Sequence, residues 1–346
     1  MTLLKNRIRY SLPATATMLL ASAAIMFSWA TPSWGQKTIT MKLATATVND
    51  VQTEAIKRYA ARIEKRSNGR IKTELYPAAQ LGSNARMIEG LQLGSIQVYV
   101  GPPAYLVGLD QRFQILDSPS VFTDFAHAAR TIRDPEFRGT FLALGERKGL
   151  KGVSLFLYGQ TSYATREPLR TLHDFRGKKV RVLSSQMERE VTGQLGAVAV
   201  PMDFSEVVPA LQQGTIDGVK TGMSVFTSLK LYDIVKNVTE THEAVIPEVM
   251  MVSKRWFDSQ PADVQAILLE EGKALEPELN EWTLNAQAEA RKLWRDKGGE
   301  VITLSAADHA EMIRRLSGVA NDVYKERPAE KKLYELLLKV AQANKK

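Results

Sequence analysis

The chain lacks cysteine entirely, which limits both how it is held together and what chemistry it performs. Without disulfide bonds, a chain of 346 residues must rely on a large apolar core. Without thiols it has no cysteine nucleophile and no thiolate metal ligand. Histidine is also scarce, with four scattered residues for which a structural role is expected: His127, His173, His242 and His309. We therefore predict no metal centre and no cofactor.

The common catalytic motifs are absent as well. His242-Glu243 begins like the helical motif of zinc proteases, but the second ligand position holds Ile246. Neither the G-x-S-x-G nucleophile turn, nor the phosphate-binding loop, nor the dinucleotide fingerprint occurs. The net charge of +8 is spread along the chain without a basic tract. The sequence thus predicts a protein that is not an enzyme and does not bind nucleic acid.

The N-terminus has the three regions of a secretory signal peptide. Three basic residues lie among the first ten, an uncharged apolar run covers residues 11–30, and Ser33 and Gly35 supply small side chains before a cleavage point. A membrane anchor is the alternative, because 20 uncharged residues nearly span a bilayer. Pro13 and the many Ala, Ser and Thr residues make this run a weak anchor. We therefore predict that residues 1–35 are removed on export, which leaves a soluble chain of about two domains.

One phrase occurs twice, as LQLGSIQV at residues 91–98 and as LQQGTIDGV at residues 211–219. Each copy follows apolar residues at helical spacing, and its glycine suits the left-handed position that ends a helix. The Ile and Val that follow suit a buried strand. Coincidence is the alternative, because helix-Gly-strand corners are common in α/β proteins. The number of matching positions favours two similar α/β halves.

Strand and helix patterns alternate over residues 38–101 and again in the second half of the chain. This order predicts an α/β fold with mainly parallel sheets that are flanked by helices. No low-complexity linker separates the halves, so the crossings near residues 158 and 246 are predicted to be strands that act as hinges. A long helical stretch over residues 261–297, predicted to be interrupted at Pro277, begins a run of C-terminal helices.

Arg181 is the most informative single residue, because it lies within an apolar strand, GKKVRVLSS. Val180 and Val182 point to one face of that strand and Arg181 to the other. A guanidinium in this position needs a partner, so a structural salt bridge and a ligand site are both open. Strand ends that face a crevice between α/β domains are common ligand sites. Arginine offers two parallel donors that match a carboxylate.

A family resemblance is carried by five phrases together: YPAAQLGS (76–83), GLQLGSIQV (90–98), DFRGKKVRV (174–182), LGAVAVPMDFSEVVPALQQGTIDGV (195–219) and VTETH (238–242). They resemble the DctP-type substrate-binding proteins of tripartite ATP-independent periplasmic (TRAP) transporters, over nearly all of the chain after the signal peptide. The resemblance implies a two-lobed periplasmic binding protein, type II-like, in which each repeated phrase serves one lobe. Lobe I is predicted to comprise residues 36–158 and 247–286, and lobe II residues 159–246 and 287–346.

The resemblance also implies which residues bind the ligand. Arg181 is implied to clamp a carboxylate. Phe204 takes the place of the family's cleft aromatic, with an ordinary core position as the alternative. Tyr105 falls at a ligand-facing position of lobe I, with a surface aromatic as the alternative. Thr221 replaces the ligand-facing asparagine of the usual D-G-x-E-N-P phrase, and Thr161 stands near the place of a second arginine found in some members.

The function implied by the resemblance is transport. A monomeric solute-binding protein would capture an organic acid in the periplasm by hinge closure and deliver it to the small and large TRAP membrane subunits. The departures at Thr161 and Thr221 favour a small or aromatic monocarboxylate over a sialic acid-like ligand. A dicarboxylate needs a second cation, such as Lys220 or Arg166. An extracellular sensing module for a signalling partner is the alternative function.

Overall fold

One mixed β-sheet of nine strands organises residues 38–345, the part of the chain that the computed structural model describes. The strands follow the order β2-β1-β3-β8-β4-β7-β5-β6, and β9 pairs with β8. Their bounds are β1 Ile39–Thr45, β2 Ile71–Tyr76, β3 Val98–Gly101, β4 Leu150–Thr165, β5 Lys179–Val182, β6 Val198–Pro201, β7 Gly218–Thr221, β8 Asn237–Ser253 and β9 Glu300–Thr303.

Twelve α-helices of this range cover the sheet. Their bounds are α1 Val51–Arg66, α2 Asn84–Leu93, α3 Phe125–Ile132, α4 Pro135–Leu142, α5 Gln186–Gln194, α6 Val207–Gln212, α7 Met223–Ser228, α8 Lys254–Asp258, α9 Ala262–Asp296, α10 Ala306–Leu316, α11 Val319–Tyr324 and α12 Pro328–Asn344. None of the helices described is both long enough and apolar enough to cross a membrane. The predicted signal peptide lies outside the described residues.

The strand directions divide the sheet into three parts. Strand β1 pairs in parallel with β2 and β3, and we call these strands the first half. Strand β5 pairs in parallel with β6 and β7, and we call these the second half. Between the halves, β4 and β8 run antiparallel to each other, and each runs antiparallel to its outer neighbour, β7 or β3. The predicted α/β fold is confirmed, whereas the antiparallel central pair, β6 and β9 were not predicted.

The two central strands are long enough to belong to both halves. Strand β4 has 16 residues and β8 has 17, and they pair along most of their length. The ladder shifts register at two places in its middle, and Gly159 pairs with Ile246 between them. The predicted crossings near residues 158 and 246 lie at this irregular part of the ladder. The lobe boundaries themselves remain a prediction.

The repeated phrase forms the same corner twice, as predicted. Gly94 ends α2 and Gly214 follows α6, and both adopt left-handed backbone, with φ of +83° and +72°. The amide of Gly94 donates to the carbonyl of Leu91 over 3.2 Å, and the amide of Gly214 donates to that of Leu211 over 3.3 Å. The chain then enters β3 in the first half and β7 in the second. The phrase therefore marks a structural repeat.

Helix α9 corrects one prediction, because it runs through Pro277 without interruption for 35 residues. The side chains on either side of the proline dock onto the backbone of β4. The amide of Leu155 donates to Glu276 over 3.0 Å, and the amide of Leu157 donates to Asn280 over 2.9 Å. These bonds hold both parts of the helix against the same strand, which offsets the backbone hydrogen bond that proline removes.

The core lies on both faces of the sheet. Along β8, Val249 and Met251 pack in one apolar cluster, whereas Met250 and Val252 pack in another. All four side chains are fully buried. A strand covered on both faces is apolar at every position rather than at alternate ones. This explains the run VMMV and makes any charged residue on these strands conspicuous.

Candidate ligand-binding site

A cavity beside the central strands is lined by residues of both halves of the sheet, and its empty volume of ≈ 370 Å³ includes its opening to solvent. Four of the five predicted site residues line it: Tyr105, Arg181, Phe204 and Thr221. The remaining lining residues are Ala46, Thr47, Gln52, Asn84, Pro102, Tyr158, Leu183, Val225, Ile246 and Glu248.

Arg181 enters the cavity from β5. This strand pairs in parallel with β6 and β7, and its valines, Val180 and Val182, are fully buried. The arginine between them is 1% exposed and lines the cavity. The alternation predicted from the sequence is therefore confirmed, since neighbouring side chains of a strand point to opposite faces.

The guanidinium of Arg181 is held by neutral oxygens. Nε and Nη2 donate to the carbonyl oxygen of Met202, over 3.2 and 3.0 Å. Nη2 also donates to the phenol oxygen of Tyr105, over 2.6 Å. Within residues 38–345, Arg181 forms no ion pair with a carboxylate. Because a buried charge is costly unless it is compensated, this arrangement favours a ligand site over a structural salt bridge.

Tyr105 reaches Arg181 from the first half of the sheet. It lies in a short 3-10 turn, Pro103–Leu106, directly after β3. Burial raises the pKa of its phenol, and the charge of Arg181 opposes this effect. The phenol is therefore neutral at physiological pH. Because its oxygen accepts from Arg181, its own proton is available to donate to a ligand.

Phe204 also lines the cavity, from the 3-10 turn Phe204–Glu206. Its ring is partly buried and packs against two apolar clusters. Phe204 therefore lines the cavity, as predicted, and also contacts the core, which was the alternative. The turn is fixed by Asp203, which accepts hydrogen bonds from the backbone and side-chain nitrogens of Asn84, both over 3.1 Å. This pair connects the start of α2 to the second half of the sheet.

Acidic residues on the first half's side of the cavity were missed by sequence reasoning. Glu248 lines the cavity from β8 and is fully buried. Its Oε1 accepts from Nε2 of Gln52 over 3.0 Å. Beside it, Asp50 accepts from the hydroxyl of Tyr158 over 2.8 Å. Burial and the charge of Asp50 raise the pKa of Glu248 well above its usual range. A glutamate inside the apolar run IPEVMMVS was the available signal, of the same kind as Arg181.

Thr161 is not among the residues that line the cavity, which differs from the prediction. Its hydroxyl donates to the carboxylate of Glu243, and it accepts from the amide of Ala244 over 3.2 Å. The same carboxylate lies 3.4 Å from Nζ of Lys220, whose side chain is 1% exposed. The hydroxyl of Thr161 is therefore engaged by Glu243 and Ala244, and Thr161 does not line the cavity. Lys220 does not line the cavity either, and Arg166 donates instead to the carbonyl of Leu211.

The sequence model of the family described as "Bacterial extracellular solute-binding protein, family 7" (DctP) matches residues 44–327. The chain belongs to the DctP family. A solute-binding protein of Verminephrobacter eiseniae is 32% identical over 67% of this chain and 70% of its own length. The C4-dicarboxylate-binding periplasmic protein DctP of Rhodobacter capsulatus is also 32% identical, over 58% of this chain and 61% of its own length.

Solved structures show the same fold. A TRAP periplasmic solute-binding protein from Desulfovibrio salexigens, with bound orotic acid, has a TM-score of 0.85 at 23% identity and covers 89% of this chain and 100% of its own. A TRAP periplasmic solute-binding protein from Shewanella oneidensis, with bound succinate, has a TM-score of 0.82 at 22% identity and covers 88% of this chain and 99% of its own. At these identities the likeness establishes the architecture, and the ligand must be argued from the cavity.

Proposed function

We propose that this DctP-family protein is an exported solute-binding protein that captures an organic carboxylate and delivers it to the membrane subunits of a TRAP transporter. Residues 1–35 serve as the signal peptide in this proposal, and the protein works in the periplasm without changing its ligand chemically. The relatives named as binding C4-dicarboxylates, and the neighbours with bound orotic acid and succinate, support this class of ligand.

The observation that carries the proposal is the state of Arg181. Its side chain is buried at a cavity, and no carboxylate within the described chain balances its charge. Nη1 has no hydrogen-bond partner among these residues, while the other guanidinium nitrogens are held by Met202 and Tyr105. A ligand carboxylate supplies both the missing charge and an acceptor for this free nitrogen.

The residues that line the cavity come from both halves of the sheet, which supports a mechanism of ligand capture. Tyr105 belongs to the first half of the sheet and Arg181 to the second, and both contact the same small volume. A ligand that binds both at once favours the arrangement in which the halves are close, in proportion to its preference for that arrangement. Strands β4 and β8 are the shared elements about which such a motion occurs.

A carboxylate screen tests the proposal directly. The mature protein is mixed with individual mono- and dicarboxylates, and its unfolding temperature is compared with that of Arg181→Ala. A ligand at about a hundred times its dissociation constant adds roughly 2.7 kcal/mol of stability, which is readily detected. We expect a shift for the native protein alone, and recovery of the acid unchanged by NMR.

Equal shifts for the native protein and Arg181→Ala would contradict the carboxylate clamp. Consumption of the acid would contradict the transport role in favour of an enzyme. Mass spectrometry of the exported protein checks the location, since an intact Met1 would contradict processing after Gly35.

A further inference from the structure

Two chemically different groups of residues line the cavity. Arg181 and Tyr105 form one group, and Glu248 with its buried oxygens forms the other. Glu248 lines the cavity, and its Oε2 atom is buried without a hydrogen-bond partner among residues 38–345. Buried polar atoms are nearly always paired, so this unpaired oxygen indicates where a ligand atom belongs.

We propose that Glu248 is a second recognition group, which acts as a neutral carboxylic acid and donates a hydrogen bond to an uncharged polar group at the far end of the ligand. The site is then selective for hydroxy- or oxo-monocarboxylates and rejects dicarboxylates. This inference rests on the proposed function, because it takes Arg181 to bind the ligand's carboxylate.

The hydrogen bonds around Glu248 determine which of its oxygens carries the proton. The hydroxyl of Thr45 donates to Oε1 of Gln52, which fixes the orientation of that amide. The Nε2 of Gln52 then donates to Oε1 of Glu248 over 3.0 Å. Since Oε1 accepts a hydrogen bond, Oε2 carries the proton. Oε2 is the atom without a partner, so the proton is available to a ligand.

The charges that surround Glu248 are negative or neutral. Asp50, at the start of α1, is also fully buried, and its charge contributes to the raised pKa of Glu248. The other titratable groups near Glu248 are the phenols of Tyr158 on β4, Tyr99 on β3 and Tyr105 in the turn after β3. Within residues 38–345, neither Glu248 nor Asp50 forms an ion pair, and Arg181 is the one cation that lines the cavity.

This distribution excludes a second ligand carboxylate. An ionised carboxylate at the far end would lie against two buried acids, with no cation to balance it. Lys220, one of the two cations considered from the sequence, is engaged with Glu188 and Glu243 outside the cavity. A neutral hydroxyl or carbonyl at the same place accepts the proton of Glu248 without any charge entering the site.

A ligand ammonium is the opposite solution, in which Glu248 is ionised. It requires either that Glu248 release its proton when the ligand binds, or that the buried carboxylates of Asp50 and Glu248 both carry charge in the empty site. Like charges in a buried site disfavour this state. When Glu248 binds a proton, the two buried acids do not carry charge together. The proximity of Asp50 therefore favours the neutral form of Glu248. The experiment below distinguishes the neutral from the ionised form.

Matched triads of acids test the proposal. Each triad shares one carboxylate and differs only at the far end, as in 4-hydroxybutanoate, succinate and 4-aminobutanoate, with three- and five-carbon analogues. Calorimetry at pH 7.5 is expected to show at least roughly tenfold tighter binding of the hydroxy acid than of the other two, the value of one well-placed hydrogen bond. Affinity for the hydroxy acid is expected to fall as pH rises through the raised pKa of Glu248.

Variants of Glu248 separate a neutral from an ionised acid. Glu248→Leu is expected to weaken binding of the hydroxy acid roughly tenfold, because the donor is lost. Glu248→Gln keeps a donor, so a loss of about two- to fivefold and disappearance of the pH dependence are expected. Glu240→Gln, on the same strand but paired with Arg291 away from the cavity, is the matched control.

Three outcomes overturn the inference while the proposed function stands: tightest binding of the dicarboxylate, tightest binding of the amino acid, or a hundredfold loss in Glu248→Gln. If no triad member and no other carboxylate binds, the proposed function itself is overturned. A fall in affinity with pH that persists in Glu248→Gln assigns the titration to another group and also overturns the inference.

Discussion

The phenol oxygen of Tyr105 lies 2.6 Å from Nη2 of Arg181, and this hydrogen bond joins the two halves of the sheet across the cavity. Tyr105 follows β3, whereas Arg181 lies on β5, at the opposite side of the central pair. The bond fills one donor of the guanidinium and leaves Nη1 for a ligand. The same two residues thus hold the cavity together and define its positively charged end.

Substitution of Arg181 is expected to weaken carboxylate binding strongly. A charge-assisted hydrogen bond contributes about 1.5–3 kcal/mol, so Arg181→Ala should weaken carboxylate binding by at least roughly tenfold to a hundredfold. Arg181→Lys should restore part of the affinity, because an ammonium keeps the charge without the planar pair of donors. Calorimetry on the folded variants measures both. Wild-type affinity in Arg181→Ala would rule out the clamp.

Removal of the phenol oxygen of Tyr105 is expected to have a smaller effect. Tyr105→Phe keeps the ring and leaves the charge of Arg181 in place, but it removes a hydrogen bond to a charged group, which contributes about 1.5–3 kcal/mol. Because Arg181 still supplies the charge, the dissociation constant should rise by roughly tenfold, the lower end of that range. Tyr76→Phe is the control, because Tyr76 lies on β2 outside the cavity and its hydroxyl bonds to Glu74. Unchanged affinity in Tyr105→Phe would show that the phenol does not contribute to the bound state.

Lys220 is expected to matter for stability and not for the ligand. Its ammonium lies 3.1 Å from Glu188 and 3.4 Å from Glu243, all buried. Lys220→Met leaves two buried carboxylates without their cation, which costs about 3–5 kcal/mol in the free energy of unfolding. Lys292→Met, at a side chain that is 77% exposed, should change it by less than about 1 kcal/mol. Denaturant unfolding at neutral pH measures both, and similar values for the two would refute the structural role.

Asp117 is expected to make stability depend on pH. Burial and the charge of Glu188 raise the pKa of Asp117 from 3.8 to about 8. Since the folded-state pKa is the higher one, its contribution to stability is complete below pH 3.8 and is lost progressively as pH rises to about 8. Asp117→Asn removes this loss. The variant's gain in unfolding temperature over the native protein should grow from pH 5 to pH 8, and a constant difference would contradict the assignment.

The charged residues of the cavity show what the sequence could and could not predict. Arg181 was found because it lies between two valines in a strand and within a family phrase. Glu248 gave the same local signal inside the run IPEVMMVS, but no pattern of spacing connects it to Gln52, 196 positions earlier. Contacts between residues so far apart in the chain depend on the order of the strands in the sheet. The position of β4 and β8 in that order was not predicted from the sequence.

Pro277 and Thr161 are two positions at which the prediction from local sequence differs from the structure. A proline inside a helical pattern predicts an interruption, but hydrogen bonds from β4 to Glu276 and Asn280 keep α9 continuous. The resemblance placed Thr161 near a position that contacts the ligand in some family members. In the structure its hydroxyl donates to Glu243, and Thr161 does not line the cavity. In both cases tertiary contacts decided what local sequence could not.

The position of β8 in the sheet also bears on biosynthesis. This strand comes from residues 237–253 yet lies between β3 and β4, which are complete by residue 165. Until Ser253 has left the ribosome, β3 and β4 each lack the neighbour that separates them. Open strand edges invite pairing with other chains. For the 88 residues between Thr165 and Ser253, about a quarter of the chain, the nascent protein therefore carries an incomplete sheet whose open edges favour intermolecular pairing.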